Sequence, residues 1–321
     1  MKRVRRMVVA LVIVASVATV LLLATCKRND LKQSTAEKKL EIALIIKATD
    51  SDFWQTVIDG GEAFDEANKN VHVTVYGPPS EADIEESIRI LEDVVVSKPD
   101  AIVIASQAGT GAVPTIKNAM AQGIPVVTID TMIPTEVVSH LATDNKKGGR
   151  MAAEAMVGFL EENKIEKSGT IAILSAIVCD TDAERGAGFA ERMKELAPNI
   201  NVIRSRYTDN EVAQAMSVTE DFITTYDDLI GVFGIDYAMG EGIALAVEQA
   251  KLQDSVMVVA FDDAEAEIMA LKNGAIKALV VQDPYGMGYK GCDFAVRAIA
   301  GEKIPSYLDT GVLIRKKGDY K

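Results

Sequence analysis

From residue 41 onward, short apolar runs alternate with segments of helical period. The apolar runs of the first half are IALII (42–46), VHVTVY (71–76), AIVIA (101–105) and PVVTI (125–129). The segments between them are amphipathic, as in DIEESIRILEDVV, where Ile84, Ile88, Leu91 and Val95 share one face of the predicted helix. Strands separated by helices of this length predict right-handed βαβ units and a parallel sheet covered on both faces.

The same alternation repeats in the second half. Its apolar runs are TIAILS (170–175), INVIRS (200–205), LIGVFG (229–234), VMVVAF (256–261) and IKALVV (276–281). Between the halves lies SHLATDNKKGGRMAAEAM, in which we expect Asp144 to cap a helix that carries Gly148 and Gly149 in its first turn. The pattern predicts an α/β protein with two successive, doubly wound parallel sheets of similar size.

Polar or aromatic residues follow several of these runs. They are Lys47 to Trp54, Ser106, Gln107, Asp130, Thr131, Asp236, Asp262, Asp263, Gln282 and Asp283. Ligands of open α/β sheets bind at the carboxyl ends of the strands, although any one such residue can equally be a loop residue or a helix cap. Because the pattern recurs in both halves, it predicts a binding site; Asp180, Asp263 and Asp283 are interpreted as caps or loop acids.

The first 25 residues have the layout of a secretion signal. Four basic side chains within the first six residues precede the uncharged run VVALVIVASVATVLLLAT, and Cys26 then opens a polar segment. The tetrapeptide LATC resembles the lipobox of bacterial lipoproteins, with Thr25 where Gly or Ala is usual. The resemblance implies a signal peptide at 1–25, lipidation of Cys26 and a flexible tether at 26–40. A retained transmembrane helix and ordinary signal cleavage are the alternatives, and all three put the body outside the cytoplasmic membrane.

Net charge limits the classes of binding partner, and cysteine content limits the possible disulfides. The formal net charge is −13, and loss of the four basic residues in the signal changes it to −17. Nucleic-acid affinity rests on cationic contacts to phosphate, so a nucleic-acid partner is excluded. Beyond Cys26 only Cys179 and Cys292 remain, and the sequence leaves open whether they form a disulfide.

No enzyme motif is complete. GTGAVP (109–114) begins like a dinucleotide-binding loop but has Pro114 where the third glycine belongs, and no phosphate-binding GK[ST] loop is present. His72 and His140 are the only histidines, and strand-like neighbours favour a structural role for both, leaving little for a histidine-based metal site or triad. Glycosidase chemistry needs two carboxylates; acids are plentiful, so it stays open, but nothing favours it. We expect no catalysis, no metal and no cofactor.

The stretch KATDSDFWQ (47–55) holds the only tryptophan of the chain. An aromatic ring can cover the apolar C–H face of a sugar, while hydroxyls donate to carboxylates and accept from Arg, Lys or amides. The aromatic pair Phe53 and Trp54, together with the acids, arginine and amides at the strand ends, is the inventory that a sugar cleft requires.

From residue 41 to about 315 the chain resembles the periplasmic sugar-binding proteins of ABC transporters, in particular the ribose- and allose-binding group. The segments that carry the resemblance are IIKATDSDFW, GPPSEADI, KPDAIVIA, IPVVTIDT, VVSHLATDN, ERGAGF, VMVVAFDD and VVQDPYGMG. They occur in the family's order and span both halves of the chain.

The resemblance implies a set of ligand contacts. From the first lobe these are Lys47, Ser51, Phe53, Trp54, Asp130 and Thr131; from the second lobe and the hinge they are Arg185, Asp236, Asp262 and Gln282. Trp54 and Phe53 are expected to cover one sugar face, and the flanking Asp52 and Gln55 favour an exposed Trp54. Three positions depart from the usual residue types, namely Ser51, Thr131 and Asp236. Tyr207 is the nearest candidate for an aromatic contact from the second lobe.

The resemblance also implies a domain arrangement. The N-terminal lobe would comprise 41–143 plus 283–310 and the C-terminal lobe 144–282 plus 311–321. Three hinge strands would join them near 143–145, 281–283 and 310–312. Ligand would bind between the lobes and shift the balance from open to closed.

The function implied is that of a monomeric, lipid-anchored, extracytoplasmic receptor. It would deliver a monosaccharide, an allose- or ribose-like aldose, to an ABC permease. Two cations and three acids among the expected contacts suit a neutral sugar or polyol. The alternative is a sugar sensor of the same fold that presents its closed form to a membrane receptor or kinase. A sugar-responsive repressor would need a helix-turn-helix headpiece, which the apolar N-terminus excludes.

Overall fold

Two six-stranded sheets form the framework of the computed structural model, which describes residues 39–320. The strands of the first sheet are β1 (Leu40–Ile45), β2 (Val71–Tyr76), β3 (Ala101–Ile104), β4 (Val126–Ile129), β5 (Ser139–Ala142) and β11 (Tyr307–Asp309). Those of the second are β6 (Gly169–Ser175), β7 (Ile200–Tyr207), β8 (Leu229–Gly234), β9 (Met257–Phe261), β10 (Ala278–Val281) and β12 (Leu313–Arg315). The predicted signal peptide and Cys26, and the predicted tether up to residue 38, lie outside the described residues.

The two sheets have the same strand order. The first runs β2-β1-β3-β4-β5-β11 and the second β7-β6-β8-β9-β10-β12. Every strand pair within residues 39–320 is parallel except β10 with β12. The prediction of two parallel-sheet lobes is therefore confirmed. The strand order reverses at β1 in one sheet and at β6 in the other, and these are the switch points beside which a ligand is expected.

Helices cover both faces of each sheet. Around the first sheet lie α1 (Asp52–Ala67), α2 (Ile84–Ser97), α3 (Val113–Ala121) and α9 (Pro284–Ile299). Around the second lie α4 (Asn145–Glu162), α5 (Asp180–Leu196), α6 (Val212–Thr225), α7 (Tyr237–Ala250) and α8 (Glu265–Asn273). Strand β1 shows why two layers are needed: Ile42 and Leu44 enter one core cluster and Ala43 and Ile45 another, because successive strand side chains point to opposite faces. Within residues 39–320, no helix combines the length and the apolar character required to span a bilayer.

Each predicted strand run overlaps a strand of the structure, including runs that contain polar residues, such as VHVTVY. Runs 71–76 and 229–234 coincide with β2 and β8. By contrast, no apolar run in the sequence predicted β5. This strand has the sequence Ser-His-Leu-Ala, and all four residues are buried. His140 of this strand bonds Thr128 Oγ1 through Nδ1 at 2.9 Å, so its polarity is satisfied inside the sheet and hides the strand from a hydrophobicity pattern.

The predicted face of α2 is partly wrong. Leu91 and Val95 are buried as expected, but Ile84 is 47% exposed and Val94 is buried in its place. Ile84 is the first helical residue, two turns before Leu91, so it precedes the stretch of helix that packs on the sheet.

The chain crosses between the two sheets three times. The crossings follow β5, β10 and β11, at residues 143–144, 282–283 and 310–312. At the first of them Asp144 caps α4 as predicted, because its Oδ1 accepts from Lys147 N at 2.9 Å. Asp309 Oδ1 also accepts from Asp144 N at 3.3 Å, so the first and third crossings are in contact.

Glycines let pairs of helices approach closely in both halves. A Cβ on Gly149 of α4 would lie 2.0 Å from the carbonyl oxygen of Arg185 in α5, and one on Gly188 would lie 2.1 Å from that of Lys146. In the first lobe, Gly60 of α1 has the same relation to α9, where its Cβ would lie 2.1 Å from the carbonyl oxygen of Tyr285. The contact of α4 with α5 fixes the helix that carries Arg185.

Candidate functional site

A cavity lies where the carboxyl ends of the strands of both sheets face each other. Its volume is about 60 Å³, whereas a single water needs roughly 10 to 15 Å³. It is lined by Lys47, Phe53, Trp54, Glu81, Asp130, Ile177, Cys179, Thr181, Asp182, Arg185, Asn210, Asp236, Tyr237, Asp262 and Gln282. Of the ten predicted contacts, all but Ser51 and Thr131 are in this lining. The cavity is therefore small, lined mostly by polar and charged residue types, and shared between the lobes.

Lys47 and Asp130 form a buried ion pair on the first-lobe side. Lys47 follows β1, and its Nζ donates to Asp130 Oδ2 and to Thr131 Oγ1, both at 2.6 Å. Burial disfavours both charges, but the pairing outweighs it: the pKa of Lys47 is raised by Asp130 and Glu81, and the pKa of Asp130 is lowered by Lys47. Thr131 does not line the cavity, but it holds Lys47 in place.

Trp54 forms the aromatic wall. It is 2% exposed, so the expected exposure is wrong, because it shares the inward face of α1 with Val57 and Phe64. Its Nε1 donates to Glu81 Oε1 at 2.6 Å. Phe53 meets it edge-on, with ring centroids 4.9 Å apart. The indole is therefore held by a hydrogen bond at one edge and by a ring at the other, and its ring system lines the cavity.

Arg185 is the cationic residue of the second-lobe side. It is 3% exposed and is held at three points: its Nε donates to Asn145 Oδ1 at 2.9 Å, its Nη1 donates to the carbonyl of Ile235 at 2.8 Å, and its guanidinium lies 3.9 Å from the ring centroid of Phe261. Its Nη2 has no hydrogen-bond partner among residues 39–320. The two N–H groups of Nη2, on a rigidly held guanidinium, are thus available to a ligand.

Asp262 and Gln282 form a hydrogen-bonded pair next to Arg185. Gln282 Nε2 donates to Asp262 Oδ1 at 2.6 Å. Burial raises the pKa of Asp262, and the nearby Arg185 and Gln282 offset only part of that effect. Gln282 Oε1 is buried without a partner in the described chain. Buried acceptors of this kind are normally satisfied, so this oxygen can accept a hydrogen bond from a ligand.

Asp236 and Asp182 complete the second-lobe side. Asp236 caps α7, and its Oδ1 accepts from Met239 N at 3.0 Å. Asp182 Oδ2 accepts from the backbone amides of Ala176 and Ile177 at 3.1 and 2.9 Å. Burial raises the pKa of both carboxyls, and for Asp236 the charges of Asp182 and Asp262 add to it. These carboxyls order the loops around the cavity as well as lining it.

Several residues that line the cavity were not among the contacts predicted from the sequence. The most important are Glu81, Asp182, Asn210 and Tyr237. Tyr237, not Tyr207, is the second-lobe aromatic at the cavity; Tyr207 ends the edge strand β7, is 46% exposed and does not line the cavity. Tyr237 directly follows Asp236, which was the signal that could have identified it.

Ser51 lies in a neighbouring crevice rather than in the cavity. It is 4% exposed and shares the crevice with Asp52, Tyr237 and Asp263. Asp52 Oδ2 accepts from the amide of Glu265, the first residue of α8, at 3.4 Å. This contact joins the two lobes beside the cavity.

Cys179 lines the cavity, whereas Cys292 is buried in the core of the first lobe. Cys179 and Cys292 are both free thiols, and burial raises the pKa of each to about 12. Asp283 caps α9 as predicted, since its Oδ1 accepts from Gly286 N at 2.8 Å. No group of three or more His, Cys, Asp or Glu side chains between residues 39 and 320 is arranged to hold a metal ion.

Comparison with known proteins agrees with this geometry. Residues 42–303 match the family described as periplasmic binding protein domain. The chain is 27% identical over 285 residues to a D-ribose/D-allose-binding protein of Pseudomonas aeruginosa, covering 86% of this chain and 87% of that protein. It is 29% identical over 278 residues to a ribose import binding protein of Haemophilus influenzae, covering 86% and 91%.

Two solved structures are similar throughout. A carbohydrate transporter solute-binding protein of Agrobacterium radiobacter, in complex with D-arabinose, has a TM-score of 0.83 and 32% identity, covering 89% of this chain and 96% of that one. An ABC transporter solute-binding protein of Agrobacterium vitis with bound D-fucose has a TM-score of 0.80 and 32% identity, covering 87% and 96%. The similarity therefore spans both lobes and the cavity between them.

Proposed function

The chain belongs to the periplasmic binding protein domain family, and from this premise we propose that it is an extracytoplasmic receptor that captures a monosaccharide between its lobes. Relatives and structural neighbours are described as sugar-binding transport proteins. Transfer of the captured sugar to an ABC permease, without any chemical change, is the activity that such a receptor performs.

The observation that carries the proposal is the pairing of an aromatic wall with buried polar groups from both lobes. Trp54 offers a flat apolar surface, Asp130 and Asp262 offer acceptors from opposite sides, and Arg185 offers a donor. A pyranose or furanose ring requires this combination, because its faces are apolar and its rim carries hydroxyls. Each hydrogen bond to a charged group contributes roughly 1.5 to 3 kcal/mol, and micromolar binding needs only about 8 kcal/mol.

Ligand capture would be coupled to closure of the lobes. Within the described chain, the three short crossings at 143–144, 282–283 and 310–312 are the only chain connections between the two sheets. Bending of the chain at these crossings would open the cavity. The contact between Asp52 and the amide of Glu265 would form only when the lobes are closed. The structure would then correspond to the closed state.

The N-terminal segment would set the location. Lipidation of Cys26 would anchor the receptor to a membrane as a monomer, with the segment up to residue 40 as its tether. Metabolic labelling with a radioactive fatty acid tests this directly: we expect label on the protein and none on a Cys26→Ala variant. Equal labelling of both would exclude Cys26 as the anchor.

A thermal-shift screen of the purified protein tests the sugar function. We expect at least one of D-ribose, D-allose, D-arabinose, D-fucose or a related aldose to raise the melting temperature, because a ligand at 100 times its Kd adds about 2.7 kcal/mol of stability. Trp54 supplies an independent signal, since the only tryptophan lines the cavity and its emission should change on binding. If no monosaccharide or amino sugar alters either signal, the proposed function is wrong.

A further inference from the structure

The cavity is considerably more acidic than the predicted contacts implied. The ligand contacts expected from the sequence included two cationic side chains and three acidic ones. The structure adds Glu81 and Asp182 to the lining, so Lys47 and Arg185 now face five carboxyl groups. An excess of acids around a closed cavity favours a ligand that brings positive charge.

The two cations offset only part of this acidic charge. Lys47 is paired with Asp130, and the one charge of Arg185 acts on three further carboxyls, those of Asp182, Asp236 and Asp262. The ammonium of Lys47 donates to Asp130 and Thr131. The guanidinium of Arg185 donates to Asn145 and Ile235 and stacks on Phe261. The N-terminus of α7 offsets part of the charge of Asp236. Among residues 39–320, Asp262 accepts a side-chain hydrogen bond only from the neutral amide of Gln282.

Unpartnered acceptors outnumber unpartnered donors around the cavity. Asp130 and Asp262 are 91% and 94% buried, and each uses only one carboxylate oxygen in hydrogen bonds within the described chain. The amide oxygens of Asn210 and Gln282 are buried without partners there as well. On the donor side the two N–H groups of Arg185 Nη2 and the third N–H of Lys47 Nζ are available, whereas the indole N–H of Trp54 already donates to Glu81.

This imbalance restricts the chemistry of the ligand. A hydroxyl donates one hydrogen bond and also accepts, so a neutral sugar brings as many acceptors as donors into a cavity that already has acceptors in excess. A protonated amine donates three and accepts none, and it neutralises part of the acidic surface. We propose that the ligand is a monosaccharide that carries a protonated amino group, seated against the carboxyls of Asp236 and Asp262. This inference rests on the proposed sugar-binding function and specifies its substrate class.

The state of the acids without ligand agrees with this proposal. Burial raises the pKa of Asp182, Asp236 and Asp262, and the charges of Asp182 and Asp262 raise that of Asp236 further. An ammonium group beside them would favour the carboxylates instead.

Matched sugars test the proposal. Dissociation constants would be measured by calorimetry or Trp54 fluorescence for D-glucose, D-galactose and D-mannose, for their 2-amino derivatives, and for the N-acetyl derivatives, which keep the hydroxyls but lack the charge. We expect an amino sugar to bind at least tenfold more tightly than its neutral and N-acetyl counterparts. D-Ribose and D-allose complete the set as neutral sugars.

A pair of variants locates the effect. Asp236→Asn removes one charge from the cavity but keeps a good cap for α7, and we expect it to reduce the preference for the amine several-fold. Asp144→Asn makes the same change at the cap of α4, outside the cavity, and should leave the preference unchanged. Loss of the preference in both variants, or in neither, would contradict the seat assigned to the amine.

The outcomes separate this inference from the proposed function. A neutral sugar that binds more tightly than every amino sugar in the set overturns the inference and supports the function. Amino sugars that produce no signal while a neutral sugar binds do the same. Absence of binding by both classes overturns both.

Discussion

Asp130 and Asp262 occupy equivalent positions in the two halves of the molecule. Each directly follows the strand in the same place in its sheet, β4 or β9. Each has a left-handed backbone, with φ of 62° and 74°, and each donates its amide to the adjacent strand, at 2.9 Å to Leu141 O and Val280 O. Such φ values are uncommon outside glycine and concentrate at functional sites. Here they turn one carboxylate from each lobe into the same cavity.

Replacing Asp262 by Asn should weaken sugar binding. The substitution keeps the shape of the side chain but removes a charged acceptor, and hydrogen bonds to charged groups contribute roughly 1.5 to 3 kcal/mol. We therefore expect the Kd to rise about 10- to 150-fold, measured by titration of Trp54 fluorescence with whichever sugar binds.

The adjacent Asp263 provides the matched control. It accepts from the hydroxyl of Tyr320 at 2.8 Å and does not line the cavity. Asp263→Asn should leave the Kd within about threefold of the unmodified protein. Equal losses in the two variants would mean that Asp262 acts through the general charge of the lobe rather than by contact.

Removing the cation of the Lys47–Asp130 pair should destabilise the fold. Lys47→Met leaves the carboxylate of Asp130 buried without its partner, and breaking a buried ion pair in this way costs about 3 to 5 kcal/mol. Denaturant unfolding should show this loss, and Lys47→Met combined with Asp130→Asn should recover much of it.

An ion pair on the surface serves as the control for that experiment. Lys146 Nζ lies 2.9 Å from Glu191 Oε2 with both side chains about half exposed, and Lys146→Met should change stability by less than about 1 kcal/mol. If Lys47→Met changes the free energy of unfolding equally little, Asp130 must become protonated or hydrated at little cost. The Lys47–Asp130 pair would then not be needed to stabilise the cavity.

The sequence was informative wherever a site residue directly follows an apolar strand, as Lys47, Asp130 and Asp262 do. It was misleading about Trp54, because the neighbours of a helical residue lie on other faces; positions 57 and 61, three and seven residues on, would have indicated burial. Glu81 and Asp182 were missed for a different reason. Glu81 lies in the connection after β2 and Asp182 within the first turn of α5, so only tertiary structure brings them to the cavity.

Two glycines of α4 should respond oppositely to substitution by alanine. A methyl group on Gly149 would meet the backbone carbonyl of Arg185 at 2.0 Å, whereas one on Gly158 has nothing within 4 Å. Gly149→Ala should therefore cost about 1 to 3 kcal/mol and weaken binding by displacing Arg185. Gly158→Ala should instead stabilise the helix by about 0.5 to 1 kcal/mol. Unfolding curves distinguish them, and two stabilised variants would show that the contact of α4 with α5 yields easily.

Glu267 should make the stability of the second lobe depend on pH. It is fully buried beneath the cavity, its Oε2 accepts from Ala264 N at 3.2 Å, and its Oε1 has no partner in the described chain. Burial, followed by the charge of Asp262, raises its pKa well above the ordinary value. The folded protein therefore retains this proton in a pH range where the unfolded chain, with a pKa of about 4.3, has lost it.

The direction in which stability changes with pH follows from that difference in bound protons. Stability from this group is complete below the pKa of the unfolded chain and is lost as pH rises from there through the pKa of the folded state. Glu267→Gln cannot ionise and keeps the cap at Ala264, so it should match the unmodified protein near pH 4.5 and exceed it at pH 8. The exposed Glu265→Gln, on the same helix, is the control and should leave the slope unchanged. Parallel stability profiles for Glu267→Gln and the unmodified protein would show that Glu267 stays equally protonated in both states, and that its burial is relieved by water or by movement of α8.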